Sequence, residues 1–488
     1  MQNTCMIIFR NYGRGDEVVN VNWLQEVEKR KQHIIQDTQE FLRINSVLDE
    51  TTATETQPFG AGISKALLHM LNKGKEHQFY VKNIDGYAGV VEMGEGAESV
   101  GILCHIDVVP TGDGWVSAPF AAEIRENKIF ARGAIDNKGP TMAAFWAMEI
   151  VKELQLPLHK RVRMILGTDE ESNWRCVDHY FKHEEMPTLG FAPDADFPII
   201  HAEKGITDVS FNWNNHEEND YSELTLISFQ SGERFNMVPD KAVVSINGEE
   251  KQLVEMATKF NLYLQKNQHN GQVEQTGDLL HLIYEGVAAH GSTPENGLNA
   301  GVYLTKFLTQ FVFQNSANAF LNFIVEHSDQ QGNTLGIAVS DDVSGPLTVN
   351  LGLMQFKDKG EAQVGLNIRY PVTASFDDCF NQLNKKALEH QAIFTIHDHM
   401  EPNYVEKEHP LIQTLQSVYK RQTGEEPTLL AIGGGTYARS LSTGVAFGPM
   451  FPGREDVAHK KNEFIDIDDL LRMTALYAEA IYELAKDA

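Results

Sequence analysis

The sequence predicts an α/β fold: a sheet covered by helices on both faces and interrupted by an inserted domain. Three observations carry this. Strand-like apolar runs alternate with helical periodicity from Trp23 to about Gly205, and the alternation returns after His409. Between those points the pattern changes to shorter strands and helices with longer polar stretches. At 488 residues the chain also exceeds the usual size of a single core.

Apolar residues at helical spacing (Trp23, Val27, Ile34, Ile35, Phe41, Leu42) predict a first helix over residues 23–42. A polar loop at 51–58 precedes a second helix at 63–71, stopped before Gly74. Short strands at 79–81 and 89–93 flank a turn at Asp85-Gly86. Residues 100–109 read as a buried strand ended by Pro110. A helix at 139–154, a strand at 161–166 and a helix at 174–182 follow. The middle region holds polar stretches at 212–221 and 266–275 and a hairpin-like segment at 352–370. Helices are expected again at 411–422 and 467–485. The expected organisation is therefore a first domain from 21–204 and 403–488, with 205–402 inserted; residues 1–20 look unlike the rest and are set aside.

A formal net charge of −27 argues against nucleic-acid or anionic-membrane partners, since phosphates attract basic surfaces. Four cysteines without CxxC spacing fit a reducing compartment, and the apolar run at Cys5–Phe9 is too brief for a signal-peptide core. No stretch has transmembrane length, so a cytoplasmic protein is expected.

The chemistry sits at or soon after strand ends. His105 and Asp107 lie two apart, which on a strand puts both side chains on one face and lets Asp107 orient the imidazole. Asp136 stands in Gly133-Ala134-Ile135-Asp136-Asn137-Lys138-Gly139, where a short carboxylate at a tight loop can bridge two cations; a helix cap is the alternative. Glu170 and Glu171 are adjacent and point in different directions, so one can bind metal while the other faces a water. Asp194 and His459 complete a set of nitrogen and oxygen donors suited to an open catalytic zinc site. Two dications against Asp136, Glu171 and Asp194 leave one positive charge, which a hydroxide cancels; a near-neutral cluster tolerates burial. Asp107 and Glu170 are thereby left for orienting and proton-transfer roles. His201 is a reserve ligand. Gly60-Ala61-Gly62-Ile63-Ser64-Lys65 lacks phosphate-loop spacing, and Gly433-Gly434-Gly435-Thr436 either lets substrate approach the backbone or forms a turn.

In order, His105–Pro110, Gly112-Asp113-Gly114-Trp115, Gly133–Gly139, Asp169-Glu170-Glu171-Ser172, Pro193–Pro198 and Gly433–Arg439 resemble the PepV-type dipeptidases. These belong to the aminoacylase and glutamate-carboxypeptidase superfamily of dinuclear zinc exopeptidases. The resemblance runs from about Asn22 to the C-terminus. It implies a doubly wound catalytic domain with an inserted α+β lid, long enough to make the chain a monomer. It further implies one ion on His105 and Asp194, another on Glu171 and His459, and Asp136 bridging. Glu170 would be the general base, His290 would polarise the scissile carbonyl, and Asn236, Arg369, Gly434 and Gly435 would hold substrate. The reaction implied is hydrolysis of dipeptides with a free C-terminal carboxylate, with zinc favoured and manganese or cobalt compatible. An N-acyl-amino-acid deacylase and a non-catalytic binding homologue are the rivals. Residue by residue, His290 beside Gly291 is equally a turn histidine and Arg369 equally an edge-strand charge.

Overall fold

The computed structural model describes residues 21–214 and 222–487; the N-terminal stretch 1–20 and most of the polar stretch 212–221 lie outside the described residues. The strand Ser99–His105 is buried at all seven positions, as a non-alternating apolar run requires when helices cover both faces of a sheet. It is flanked by two parallel neighbours, Arg161–Gly167 and Leu189–Ala192. Gly444–Ala446 continues the parallel part, while Ala88–Met93 and Tyr80–Ile84 add antiparallel strands at one side. Ile199–Glu203 and Asn403–Tyr404 close the other side of this nine-stranded sheet.

The two faces of the sheet bury separate cores. Val100, Ile102 and Cys104 pack with the helices Lys31–Leu42, Lys138–Glu153 and Ile467–Ala485, whereas Leu103 packs with Cys176, Val177 and Tyr180 of Arg175–His183. Alternate residues of one strand serving opposite cores is the two-residue period of β structure put to use. The sheet is thus wound on both sides, and the α/β expectation holds.

A second, eight-stranded sheet is wholly antiparallel and runs from Gly205–Asn214 to Ile393–Met400 in the chain. Its core is shared with the helices Glu250–Asn267, Ala300–Leu308, Asn315–Glu326 and Phe376–Glu389. The chain enters this α+β lid through Lys204 and leaves it through Glu401-Pro402. Arg439 touches both crossings, its Nη2 donating to the Lys204 carbonyl at 2.9 Å and the Glu401 carbonyl at 3.1 Å.

Several boundaries differ from the sequence expectation. The helix expected over 23–42 is two, Trp23–Glu28 and Lys31–Leu42, and the Arg30 guanidinium donates to the Glu26 carbonyl near the break at 2.7 Å. The second helix runs through Gly74 to Glu76, because Gly74 makes room for Val81: a Cβ there would lie 2.7 Å from Val81 Cγ1. The strand expected to reach 109 ends at His105; beyond it Val108 donates to the Ser46 carbonyl instead.

Candidate dinuclear metal centre

Three adjacent parallel strands deliver the chemistry from their C-terminal ends, where open α/β sheets gather ligands. His105 ends Ser99–His105, Glu170 and Glu171 follow Arg161–Gly167, and Asp194 follows Leu189–Ala192. Asp136 stands just before Asn137, the N-cap of the helix Lys138–Glu153, and His459 comes from the loop ahead of the final strand and helix.

These donors meet. His105 Nε2 lies 2.9 Å from Asp136 Oδ1 and 3.3 Å from Asp194 Oδ1. His459 Nε2 lies 3.0 Å from Asp136 Oδ2 and 3.1 Å from both Glu171 oxygens. Asp136 therefore gives one oxygen to each imidazole. His105 is fully buried, Asp194 and Glu171 nearly so, and His459 is half exposed, so the cleft opens on the His459 side.

Donor atoms bound at about 2.0–2.1 Å around a tetrahedral zinc stand roughly 3.3 Å apart. The observed separations, 2.9–3.3 Å, reach up to that value, and the donor set (two imidazoles, three carboxylates) is one that zinc, manganese or cobalt accepts. The residues fit two ions: His105, Asp194 and Asp136 would hold one, and His459, Glu171 and Asp136 the other.

The electrostatics point the same way. Against the cost of burial, Asp194, Asp107 and Asp136 raise His105 well above the ordinary imidazole value. Hydrogen bonds to Asp136 and Glu171 push His459 up to about 11. Asp136 itself is held below the usual carboxylate range: burial opposes this, and the two imidazoles overcome it. Each imidazole holds a proton where a cation would sit, so cation binding displaces protons. Glu170 is raised chiefly by burial and further by Asp194, Glu171 and Asp136, against the pull of His105. It makes no hydrogen bond to the described residues, which leaves its carboxylate free beside the cluster.

Asp107 departs from expectation. Because the strand has ended, His105 Nδ1 faces the Asp107 backbone carbonyl at 3.1 Å, with the Asp107 carboxylate farther off at 3.6 Å. That carboxylate instead accepts the Glu171 backbone N–H at 3.0 Å through Oδ2, while the buried Oδ1 has no partner. It braces the Glu171 loop as much as the imidazole. His201, the reserve ligand, donates from Nδ1 to the Val405 carbonyl at 2.9 Å and packs against Tyr404, and it takes no part in the cluster.

Four residues that support the cluster were not singled out from sequence. Asn137 Nδ2 donates to Asp194 Oδ1 at 3.0 Å. Tyr437 gives its backbone N–H to Asp194, and its ring packs edge-on against His105. Glu463, fully buried, accepts the backbone N–H groups of Ile135 (3.0 Å) and Asp136 (3.2 Å) and pairs with Arg132 at 2.6 Å. Arg132 in turn donates to the His459 carbonyl at 3.2 Å. Asn137 and Tyr437 lie inside motifs quoted above, but only proximity in space shows that Arg132 and Glu463 tie Asp136 to His459.

The lid residues form a separate group. His290 and Asn236 are exposed and lie on adjacent segments, where Gly291 N–H donates to the Asn236 carbonyl at 2.7 Å. His290 Nδ1 accepts the Ser292 backbone N–H at 3.2 Å, which places the proton of a neutral ring on Nε2, a donor facing outward. Burial, then Arg369, lowers the His290 pKa and favours that neutral ring. Arg369 is only 4% exposed and already engaged: Nε donates to Asn367 Oδ1 at 2.8 Å and Nη1 to the Gly433 carbonyl at 3.0 Å. Burial, helped by Arg439, pushes its pKa down to about 10, so it stays cationic at neutral pH. Gly433 also abuts Ser292, since a Cβ there would lie 2.9 Å from Ser292 Cβ. A Cβ at Gly434 would meet Ile432 Cδ1 at 3.8 Å, an ordinary contact, and Gly435 lies against the Arg439 guanidinium. From Gly433, which meets the lid, to Tyr437, which holds Asp194, the chain can span at most about 14 Å. The segment from Gly433 to Tyr437 thus links the lid group to the metal cluster.

The profile of the peptidase family M20/M25/M40 matches residues 101–483. "Putative dipeptidase YtjP" of Bacillus subtilis (strain 168) is 51% identical over 471 residues, covering 96% of this chain and 100% of that protein. "Putative dipeptidase" of Staphylococcus epidermidis (strain ATCC 12228 / FDA PCI 1200) is 41% identical over 465 residues, covering 95% and 99%. Among solved structures, an aminoacylhistidine dipeptidase from Vibrio alginolyticus superposes with a TM-score of 0.57 at 12% identity, covering 93% of this chain and 97% of that one. Human carnosine dipeptidase 1 gives 0.54 at 13%, covering 95% and 98%. At such identities these two structures speak to the fold alone.

Proposed function

The chain belongs to the peptidase family M20/M25/M40, and from that premise we propose that it is a dipeptidase working with two divalent cations, zinc best suited to its donors. The observation that carries the reading is the sharing of Asp136 between His105 and His459. The names of the Bacillus and Staphylococcus relatives agree with it. When bound, such an ion pair would lower the pKa of a water held between them toward ~7 and polarise the peptide carbonyl.

The chain's own residues do the rest. Glu170 takes the proton from the attacking water and hands it to the nitrogen of the leaving amine, a transfer worth roughly 10²–10⁴ in rate. Its partnerless carboxylate at the edge of the cluster suits a group that must first accept and then release a proton. His290 Nε2–H donates to the carbonyl oxygen as negative charge grows there. Arg369 and Asn236 hold the C-terminal carboxylate; Arg369 Nη2 has no partner among the described residues, and Nη1 can be shared with Gly433. Gly434 lets the substrate backbone come close. We take residues 205–402 as the lid that bounds substrate length, favouring dipeptides, and the chain as a monomer in the cytoplasm.

The test is a pair of variants and a substrate panel. Glu170→Gln is expected to keep its metal content and lose turnover by 10²-fold or more, and Glu171→Ala to lose the ion on the His459 side. Near-normal turnover in Glu170→Gln would remove the base from the mechanism. Alanyl dipeptides and β-alanyl-histidine are expected to be cleaved faster than acetylated or succinylated amino acids. The reverse order makes the protein a deacylase on the same scaffold, and no hydrolysis with any divalent metal makes it a binding protein.

A further inference from the structure

The lid carries a second cluster of metal-ligating side chains, far along the chain from the cleft. His327 Nε2 and His390 Nε2 face one another at 3.2 Å. The Glu326 carboxylate stands beside both, Oε1 at 3.9 Å from His327 Nε2 and Oε2 at 4.0 Å from His390 Nε2. All three offer donor atoms around one point. We propose that Glu326, His327 and His390 form a metal site in the lid, for one zinc-like divalent cation, that staples two helices together.

Geometry is the first argument. Two imidazole nitrogens on a tetrahedral zinc, each at about 2.0–2.1 Å, lie roughly 3.3 Å apart. The pair is already at that spacing, and a small rotation of the Glu326 side chain completes a His₂Glu set with a fourth position left to water. The rings are fixed before any ion arrives. His327 is fully buried against Phe323, and the His390 ring meets the same Phe323 edge-on at 5.0 Å. Pre-set ligands spare the ordering entropy that a surface histidine pair would lose.

The backbone supplies the second argument. Glu326 is the last residue of the helix Asn315–Glu326 and His327 is its C-cap; His390 is the C-cap of Phe376–Glu389. Two helix C-termini therefore converge on the cluster, and each brings partial negative charge that favours a cation. The nearby Lys386 is paired with Glu389 at 2.9 Å.

The proton count is the third. Without an ion, the short contact requires a proton on one of the two Nε2 atoms. Moving that proton to Nδ1 of the same ring frees both lone pairs, and at His327 Nδ1 the Thr334 hydroxyl oxygen waits at 3.2 Å to accept it. A hydrogen-bonded second ring nitrogen is the usual partner arrangement of a metal-bound histidine. The bound ion would join helices whose cap residues are 63 positions apart in the chain, next to the strand Ile393–Met400 that leads out of the lid.

The test uses the full chain and zinc alone. Wild type and His390→Gln are dialysed against the same micromolar free zinc and their metal content is measured. Wild type should hold one equivalent more, its thermal midpoint should rise with zinc by more than that of the variant, and the variant should keep the hydrolytic activity of the wild type. The difference between the two proteins does not depend on how many ions the cleft holds or on what it hydrolyses. Equal zinc in both would overturn the proposal and leave the histidines as a simple N–H···N pair. If His390→Gln fails to fold, Glu326→Gln, at a half-exposed position, decides. Loss of affinity for the extra equivalent by more than about tenfold supports the site, and unchanged affinity overturns it.

Discussion

Glu463→Gln tests how the cleft is held. The Glu463 carboxylate is fully buried, and its two oxygens have separate tasks: Oε2 pairs with Arg132 Nη1 at 2.6 Å, and Oε1 accepts the Ile135 and Asp136 N–H groups at 3.0 and 3.2 Å. An amide replaces one of those oxygens with a donor that must face another donor, whichever way it is turned. It also strands the Arg132 charge, which is 1% exposed. Breaking one side of a buried ion pair costs about 3–5 kcal/mol. Disturbing a group that positions a metal ligand lowers metal affinity about 10–100-fold, or roughly 1.4–2.7 kcal/mol. Removing both charges, with Arg132→Met and Glu463→Leu together, should return most of the stability, because no charge is left unpaired. It should not return the affinity. Asp136 N–H and the His459 carbonyl, which Arg132 holds at 3.2 Å, would still lack their anchors. Denaturant unfolding of the metal-free proteins reads the first quantity and a competitive zinc titration the second. Unchanged zinc affinity in Glu463→Gln would refute the idea that this pair sets the spacing between the bridging aspartate and His459.

Three further outcomes are expected. Arg369→Met should raise KM for dipeptides about 10–100-fold, the worth of hydrogen bonds to a charged partner, with little change for their C-terminal amides; equal effects on acid and amide would remove Arg369 from carboxylate recognition. Gly205→Ala places a Cβ 2.0 Å from the Tyr370 ring at the entrance to the lid, so calorimetry should show a lower melting temperature, corresponding to about 1–3 kcal/mol of overpacking. Burial pushes the thiol of Cys176 up to about 12; peptide mapping after iodoacetamide treatment at pH 8 should find it unmodified in the folded protein and modified once denaturant is added.

The parts of this molecule that a sequence displays are those fixed by local pattern. The run Val100-Gly101-Ile102-Leu103-Cys104 announces a strand buried on both faces, and the residue that follows it, His105, is therefore at a sheet end, where ligands collect. Glu170, Glu171 and Asp194 are legible for the same reason. Asp107 is legible only in part: the two-residue period stops with the strand at His105, and its carboxylate divides between the Glu171 N–H and the His105 ring. What no local pattern displays is pairing across hundreds of residues. Arg132 with Glu463, Tyr437 with Asp194, and His327 with His390 each depend on how distant elements are docked. Gly74 shows the converse, since a residue that usually ends helices here only clears space for a neighbouring strand.

The guanidinium of Arg439 reaches the carbonyls of Lys204 and Glu401 at once. A door hung on two pins swings freely only about the line through them, and a bolt that fixes the distance between the pins suppresses shear and twist. One side chain thus ties together the two points where the chain enters and leaves the inserted domain. His290 and Arg369 both belong to the inserted domain, so in the proposed mechanism the two substrate contacts are set together by how that one domain is seated.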